Sequence, residues 1–493
     1  MSTLTQSTAA ADPSALATGR GRLTLALLCL AAFLDVVDIT IVNVALPSIR
    51  EDLAFSVQNL QWVASGYLLT YGGFLLLGGR AADLLGRRRV LIAGTSLFGL
   101  SSLVCALAGS EGVIVGGRLA QGIGAALMTP AALSILTTTF PEGRDRHKAI
   151  GLWSATIPLA SVVGVVLGGV FADGPGWRWV FLVNVPLCAL VLVGAFWLLE
   201  GERVRAPRMG FDLLGALLVT AAMLLLVYTL VEAPEVGWDD VRTLAGLAGA
   251  IALLLAFAHN ERRHRNPLFP FSILRIEGLA AADATQVIAN AGFFAMFFFL
   301  TLYMQGVLGY SPIEAGIAYL PVTLAVGLAT GVSTKLLPRT GTRPVIVAGA
   351  LLGAAGIFWL ARIPVDGSYM PDIFPGLVVM AVGLGGVFVG VTNAANAGVP
   401  AKKAGLAAAL LNTAQQLGGA LGIAIFSAIA TSRTQDLLAT GASEPQSLTS
   451  GFQRGFVASS LFLLAAAAIA ARAPNSRGAP APRPEPSPMP DTA

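Results

Sequence analysis

The stretch FLDVVDITIVNVALP, residues 33–47, is almost wholly aliphatic yet carries two carboxylates, Asp35 and Asp38. An apolar run of this kind suits the hydrocarbon core of a membrane, which a helix of about 20 residues crosses. A carboxylate at the centre of such a helix costs roughly 2.5–3.5 kcal/mol on insertion scales. Spaced three residues apart, the two side chains share one helix face. Both therefore point into protein or a water-filled cavity, away from lipid. A carboxyl group whose surroundings alternate between wet and dry takes up and releases a proton, the simplest way to couple movement of a solute to a proton gradient. The competing reading is a static ion pair with Arg118, a second intramembrane charge. Pairing and proton handling are compatible.

The rest of the chain agrees with a membrane setting. Of 493 residues 55% are hydrophobic and 12% charged, with a mean hydropathy of +0.75. A soluble chain is about a quarter charged. Apolar runs of spanning length recur throughout, and the alternating ten-residue pattern of an outer-membrane barrel is absent. The expected fold class is all-α and polytopic, with fourteen transmembrane helices. With the N-terminus inside, 24 of the 31 Lys and Arg residues fall in cytoplasmic segments and six outside, while Arg118 lies within a span. Positive loops favour the cytoplasm, so both ends are expected there. The expected division is a cytoplasmic tail over 1–21, a six-helix bundle over 22–199, and an inserted helix pair with its loops over 200–278. A second six-helix bundle covers 279–472, and a disordered Pro-rich cytoplasmic tail covers 473–493.

Several functions are disfavoured by composition. Cys29, Cys105 and Cys188 sit in apolar spans as packing residues, and His147, His259 and His264 have no clustered ligands, so no metal is expected. None of the four lysines follows Gly and precedes Ser or Thr, which excludes a P-loop ATPase. No histidine is placed to serve a nucleophile, so an enzyme is not expected. The pI near 9.1 follows from the inside-facing positive loops and requires no nucleic acid.

An internal repeat organises the chain. Residues 53–94 and 308–349 align without a gap at an offset of 255, with Leu53 on Leu308, Ser56 on Ser311, Gly86 on Gly341 and Arg88 on Arg343. Parallel repeats of this type build transporters from two pseudo-symmetric bundles with cargo between them.

GGRAADLLGRRRVL (78–91) resembles the helix 2–3 loop signature of the major facilitator superfamily through Gly79, Asp83, Gly86, Arg87 and Arg88. DITIVNVALP (38–47), RLAQGIGAA (118–126), WRWVFLVNVP (177–186) and FDLLGALL (211–218) resemble its fourteen-helix drug:proton antiporter branch, the EmrB/QacA type. The resemblance covers about residues 20–472. It implies a cytoplasmic gate in which Asp83 and its arginines latch one of two states; plain topogenic charge is the bland reading. The two glycines of that loop permit close approach and a tight turn. The resemblance also marks Asp38 as functional, with Arg118 as partner or relay and Asn43 and Gln121 in the same motifs; Asp35 lies outside the pattern. Helix 5 of the family carries G-x-x-x-G-P-x-x-G-G. Here ASVVGVVLGG (160–169) keeps Gly164, Gly168 and Gly169 but has Ala160 and Val165 where Gly and Pro are expected.

In the second bundle Asp283, Gln286 and Asn290 form a polar stripe at i, i+3 and i+7. Asn412 and Gln415 add ligand contacts or interhelical hydrogen bonds. NAGFFAMFFFLTLYMQ (290–305) offers soft aromatic and Met surfaces tolerant of many shapes. The expected function is proton-driven export of amphipathic or cationic drugs, antibiotics or hydrophobic natural products across the inner membrane. The proton gradient is the energy source, no cofactor is required, and the partners are the lipid bilayer, protons and the small cargo. The alternative is a same-fold transporter of another cargo, such as a metabolite or lipid exporter or an uptake permease, without proton antiport.

Overall fold

A computed structural model describes residues 16, 18–140, 144–199, 212–264, 267–400 and 403–476. Among them fourteen helices are long and apolar enough to cross a membrane. The first group is α1 (Gly19–Leu53), α2 (Gln58–Leu85), α3 (Arg87–Ala106), α4 (Glu111–Thr139), α5 (Lys148–Asp173) and α6 (Arg178–Leu198). Next come α7 (Leu213–Val236) and α8 (Val241–Arg263). The last group is α9 (Leu279–Gly306), α10 (Pro312–Thr340), α11 (Thr342–Leu360), α12 (Tyr369–Asn396), α13 (Gly405–Ala439) and α14 (Glu444–Arg472). No strand occurs among the described residues, as expected where lipid leaves every backbone group to be satisfied within its own helix. Most of both expected tails and the 200–211 connection lie outside the described residues.

The repeat has a physical basis at the helix ends. Ser56 and Ser311, 255 apart, both cap the helix that follows them: Ser56 Oγ accepts from the Asn59 amide and Ser311 Oγ from the Glu314 amide. Glu314 returns the bond to the Ser311 amide at 2.8 Å, completing a capping box. Gly86 (φ 98°) and Gly341 (φ 90°) both turn the chain between helices at an angle that L residues avoid.

Within the first group α1 packs on α5, and α4 packs on both α2 and α3; in the last group α9 packs on α13 and α14, and α12 on α10 and α11. Glycines permit these contacts. A Cβ at Gly124 would stand 2.7 Å from the Phe98 amide, and one at Gly349 would stand 2.8 Å from the Gly383 carbonyl. α7 leans on α2 and α13, whereas α8 packs chiefly on α7.

The two groups of six meet along α2–α13, α5–α10 and α1–α9. The α5–α10 contact is concentrated over Pro312–Ala318, the first turns of α10. A Cβ at Gly169 would stand 2.6 Å from Ile313 Cα, and one at Gly316 would stand 2.9 Å from the Val165 carbonyl. On α1–α9, Asn43 Nδ2 donates to Thr301 Oγ1 at 3.2 Å and Gln305 Nε2 to the Val44 carbonyl at 2.8 Å. The α5–α10 and α1–α9 contacts lie toward the end of the bundle opposite the described chain ends, whereas α2 and α13 meet at mid-span, Gly72 on Leu417 and Gly419 on Leu68.

Candidate functional site

Asp38 is fully buried at the middle of α1. Its Oδ2 pairs with Arg118 Nη1 of α4, itself buried. Its Oδ1 accepts from Gln121 Nε2 at 2.7 Å and from Asn184 Nδ2 of α6 at 2.8 Å. Gln121 also donates to Ser102 Oγ of α3 at 2.9 Å, and its Oε1 accepts from Arg118 Nη1 at 2.8 Å. Arg118 Nε donates to the Val63 carbonyl of α2 at 2.7 Å, and the guanidinium lies 4.3 Å from the Tyr67 ring centroid. Each of α1, α2, α3, α4 and α6 thus contributes a hydrogen-bonding group. A buried carboxylate survives only when paired and bonded in this way.

Asp35, one turn earlier, is held differently. Tyr67 donates its hydroxyl to Oδ1 at 2.6 Å, and Tyr71 donates to Oδ2 at 2.8 Å. Thr129 Oγ1 adds a longer bond to Oδ2 at 3.3 Å. No cationic side chain bonds to Asp35 among the described residues. A hydroxyl donates to a carboxylate and accepts from a carboxylic acid equally well, so the cage satisfies both protonation states. Tyr67 joins the two acids, with its hydroxyl on Asp35 and its ring under the Arg118 guanidinium.

Other anticipated residues stand apart from this network. Asn43 belongs to the α1–α9 seam. Gly164 and Gly168 let α5 lie on α1, where a Cβ would stand 3.0 Å from the Val37 carbonyl and 2.8 Å from the Ile41 carbonyl; Gly169 faces α10. At the α2–α3 turn the close approach belongs to Gly78, whose Cβ would overlap the Ala126 carbonyl. Gly79 has ordinary room, 3.8 Å from Pro130, so the close-approach reading is corrected there. Gly86 makes the turn. Asp83 is exposed and lies 4.0 Å from Arg87, one turn on. Arg88 donates to the Ala195 and Phe196 carbonyls at the end of α6, at 3.1 and 3.0 Å.

In the last group Gln286 reaches Gln415 of α13 at 3.4 Å, and Asn290 bonds back to the Gln286 carbonyl at 2.9 Å. Asn412 is exposed. Both Asp283 oxygens are buried with no hydrogen-bond partner among the described residues, so Asp283 stands outside the Gln286–Gln415 contact.

Asn184, Tyr67, Tyr71, Ser102 and Thr129 were not singled out from the sequence. Asn184 lay in view as the polar member of WRWVFLVNVP. Tyr67 and Tyr71 form an i, i+4 pair on one face of an apolar helix. Ser102 and Thr129 carried no signal, since such hydroxyls are common in membrane helices.

Fourteen spans in two packed groups, with this charge network in the first, match a known architecture. A family model described as Major Facilitator Superfamily matches residues 28–423. The chain belongs to the Major Facilitator Superfamily. It is 38% identical over 450 residues to a cephamycin export protein of Amycolatopsis lactamdurans, covering 90% of this chain and 91% of the relative. It is 37% identical to a puromycin resistance protein of Streptomyces alboniger, over 89% of this chain and 87% of that one. In fold it is similar to the crystal structure of a bacterial homolog of the human lysosomal transporter Spinster, in an inward-facing and unoccupied conformation. That match has a TM-score of 0.65 and 18% identity, covering 94% of this chain and 97% of the other. The protein is a multi-pass membrane transporter of this superfamily.

Proposed function

We propose that this transporter exports drugs or antibiotics of amphipathic or cationic character from the cytoplasm, exchanging them for protons across the inner membrane, without enzymatic activity. The observation that carries proton coupling is the Asp35 cage, a buried carboxyl whose three hydroxyl partners serve either protonation state. Asp38 holds the charge of Arg118 and positions it over Tyr67. A proton arriving on Asp35 redirects the Tyr67 hydroxyl. Tyr67 also carries the Arg118 guanidinium on its ring face, so the residue that answers the proton on Asp35 adjoins the Asp38–Arg118 pair. The export reading rests on relatives whose names state cephamycin export and puromycin resistance. With both termini in the cytoplasm, the α5–α10 and α1–α9 contacts lie toward the outer face, while α2 and α13 meet at mid-span, with Gly72 against Gln416 and Leu417.

The test measures cargo-driven proton movement and cargo accumulation in inside-out vesicles carrying the native chain, Asp35→Asn or Asp38→Asn, with an amphipathic cationic dye as cargo. Asp35→Asn is expected to abolish cargo-driven proton movement while the dye still equilibrates downhill. Native-level uphill accumulation in both amide variants would remove the coupling proposal and leave the fold untouched.

A further inference from the structure

Asp283 lies a turn into α9 from its start at Leu279, and neither of its buried oxygens has a hydrogen-bond partner among the described residues. The rest of the helix shows which way this face looks. Thr301, five turns further on, accepts from Asn43 of α1. Phe294, between them on the same face, lies with Leu68 of α2 against Gly419 of α13. Asp283 therefore faces from the second half toward the first, on the chain-end side of the seam that Asn43 and Thr301 close. Its depth is close to that of Asp35. Gly168 covers the Ile41 carbonyl of α1 as Gly422 covers the Ala291 carbonyl of α9. Matching those two contacts puts Asp283 level with Phe33, about 3 Å along the helix axis from Asp35.

Nothing among the described residues answers its charge. α12 has no charged residue from Phe374 to Asn396, and α13 has none from Ala404 to Ser432. α10 meets α9 through its first turns, at the far end of the bundle. α1 brings Asp35 and Asp38, both bonded within the first half. At the same end as Asp283 stand Arg472 of α14, Arg343 of α11, Lys403 ahead of α13, and Arg275 and Glu277 ahead of α9. None of these bonds to Asp283, on which burial alone acts. An ionised carboxylate buried in this way is costly. A metal cation would need a shell of oxygen ligands, whereas Gln286 is engaged with Gln415, and Asn290 with the Gln286 carbonyl. A proton removes the charge without any further ligand.

We propose, on the antiport reading above, that Asp283 is a second proton-carrying site, so that one cargo molecule leaves against two protons, one on Asp35 and one on Asp283. The two carboxyls have different roles. Asp35 is tied through Tyr67 to the Asp38–Arg118 pair, and so bears on whether the bundle changes state. Asp283, tied to no such pair, carries its proton with each change of state without governing it. Replacement of Asp35 therefore uncouples the exchange altogether, whereas replacement of Asp283 removes one proton from it.

The experiment uses proteoliposomes holding the full chain, with the membrane potential clamped at zero and an amphipathic cationic dye as cargo. It measures the dye gradient at which net flux reverses under a fixed pH difference. Each proton exchanged multiplies that gradient about tenfold per pH unit. The expected result is a gradient of about a hundredfold per pH unit for the native chain and about tenfold for Asp283→Asn. A native value retained by Asp283→Asn, or loss of all uphill movement in it, overturns the proposal. Infrared spectroscopy at neutral pH separates this outcome from failure of antiport itself. The C=O stretch of a protonated carboxyl is expected in the native chain and is lost in Asp283→Asn, whether or not dye and protons are coupled. No infrared difference between the two chains overturns the proposal; an infrared difference in a native chain that moves no protons with dye overturns the antiport reading and leaves Asp283 as a proton site. If Asp283→Asn fails to fold, Asp283→Leu, which leaves no polar atom unpaired, takes its place.

Discussion

The two halves are built on one plan and differ in what they bury. Gly164 and Gly168 bring α5 onto the Val37 and Ile41 carbonyls of α1, and Gly418 and Gly422 bring α13 onto the Val287 and Ala291 carbonyls of α9. These contacts set the register of α1 against α9 at an offset of 250. Asp38 then corresponds to Ile288 and Asp35 to Thr285, whose hydroxyl merely bonds back to the Ala281 carbonyl at 2.7 Å. α4 contributes Arg118 and Gln121, whereas α12 has no charged residue from Phe374 to Asn396. The second half is instead packed with rings: Phe299 lies 5.5 Å from Phe298, 5.8 Å from Phe452 and 6.2 Å from Phe456. A shared scaffold therefore carries an electrostatic core in one half and an aromatic one in the other. Intramembrane charge is expensive and rarely retained without a role; the bonded acid–arginine network stands in the first half, and the second half retains Asp283, buried with no hydrogen-bond partner among the described residues.

The largest effect that sharpens this contrast is expected at Arg118. Arg118→Met leaves Asp38 buried without its cation and should cost about 3–5 kcal/mol. The double variant Asp38→Asn with Arg118→Met should regain most of that stability, because no charge is left uncompensated. Ile288→Val, at the matching place in the second half, should cost about 1 kcal/mol. Thermal unfolding in nanodiscs ranks the variants. If Arg118→Met unfolds no earlier than Ile288→Val, the electrostatic core is not what holds the first half together.

A smaller effect separates the two glycine seams. A Cβ at Gly422 would overlap backbone atoms of Ala291, which cannot yield without moving α9. At Gly168 a Cβ would stand 2.8 Å from the Ile41 carbonyl and 3.0 Å from Val44 Cβ, a lesser conflict. Gly422→Ala should therefore destabilise more than Gly168→Ala, by about 2 against about 1 kcal/mol in the range typical of overpacking. Equal losses would mean that the two seams tolerate movement alike.

Much of the architecture was legible because hydropathy and charge act locally. The fourteen spans, the Ser56/Ser311 caps and the Gly86/Gly341 turns are each encoded within a few residues. Asp38 with Arg118 was legible because two opposite charges inside apolar spans have few ways to be solvated. The five-residue slip between the 255 offset and the α1–α9 register was not, since it is set by which carbonyl a glycine on a distant helix covers. Nor was the Asp35 cage, because Tyr67, Tyr71 and Thr129 converge only once α1, α2 and α4 have packed. At Gly79 the motif pointed one residue past the close contact at Gly78, a distinction decided by helix rotation.

The smallest effect concerns the segment after α14, where the expected disordered tail begins. Asn475 accepts from the Arg343 amide at 3.0 Å and donates to the Thr340 carbonyl at 3.0 Å, on either side of the Gly341 turn. It therefore acts on α11 as a helix cap supplied from elsewhere in the chain, and losing a cap costs about 1 kcal/mol. Asn475→Ala should lower the unfolding midpoint slightly and leave cargo accumulation near native, because the contact is internal to the second half. Asn475→Asp keeps the acceptor for the Arg343 amide but turns the donor toward Thr340 into a second oxygen, and should recover only part of the loss. Full recovery by Asp would assign the whole contribution to capping of α11; none would assign it to the bond across the turn, and so to the way the second half closes a loop that the first half leaves to Arg88.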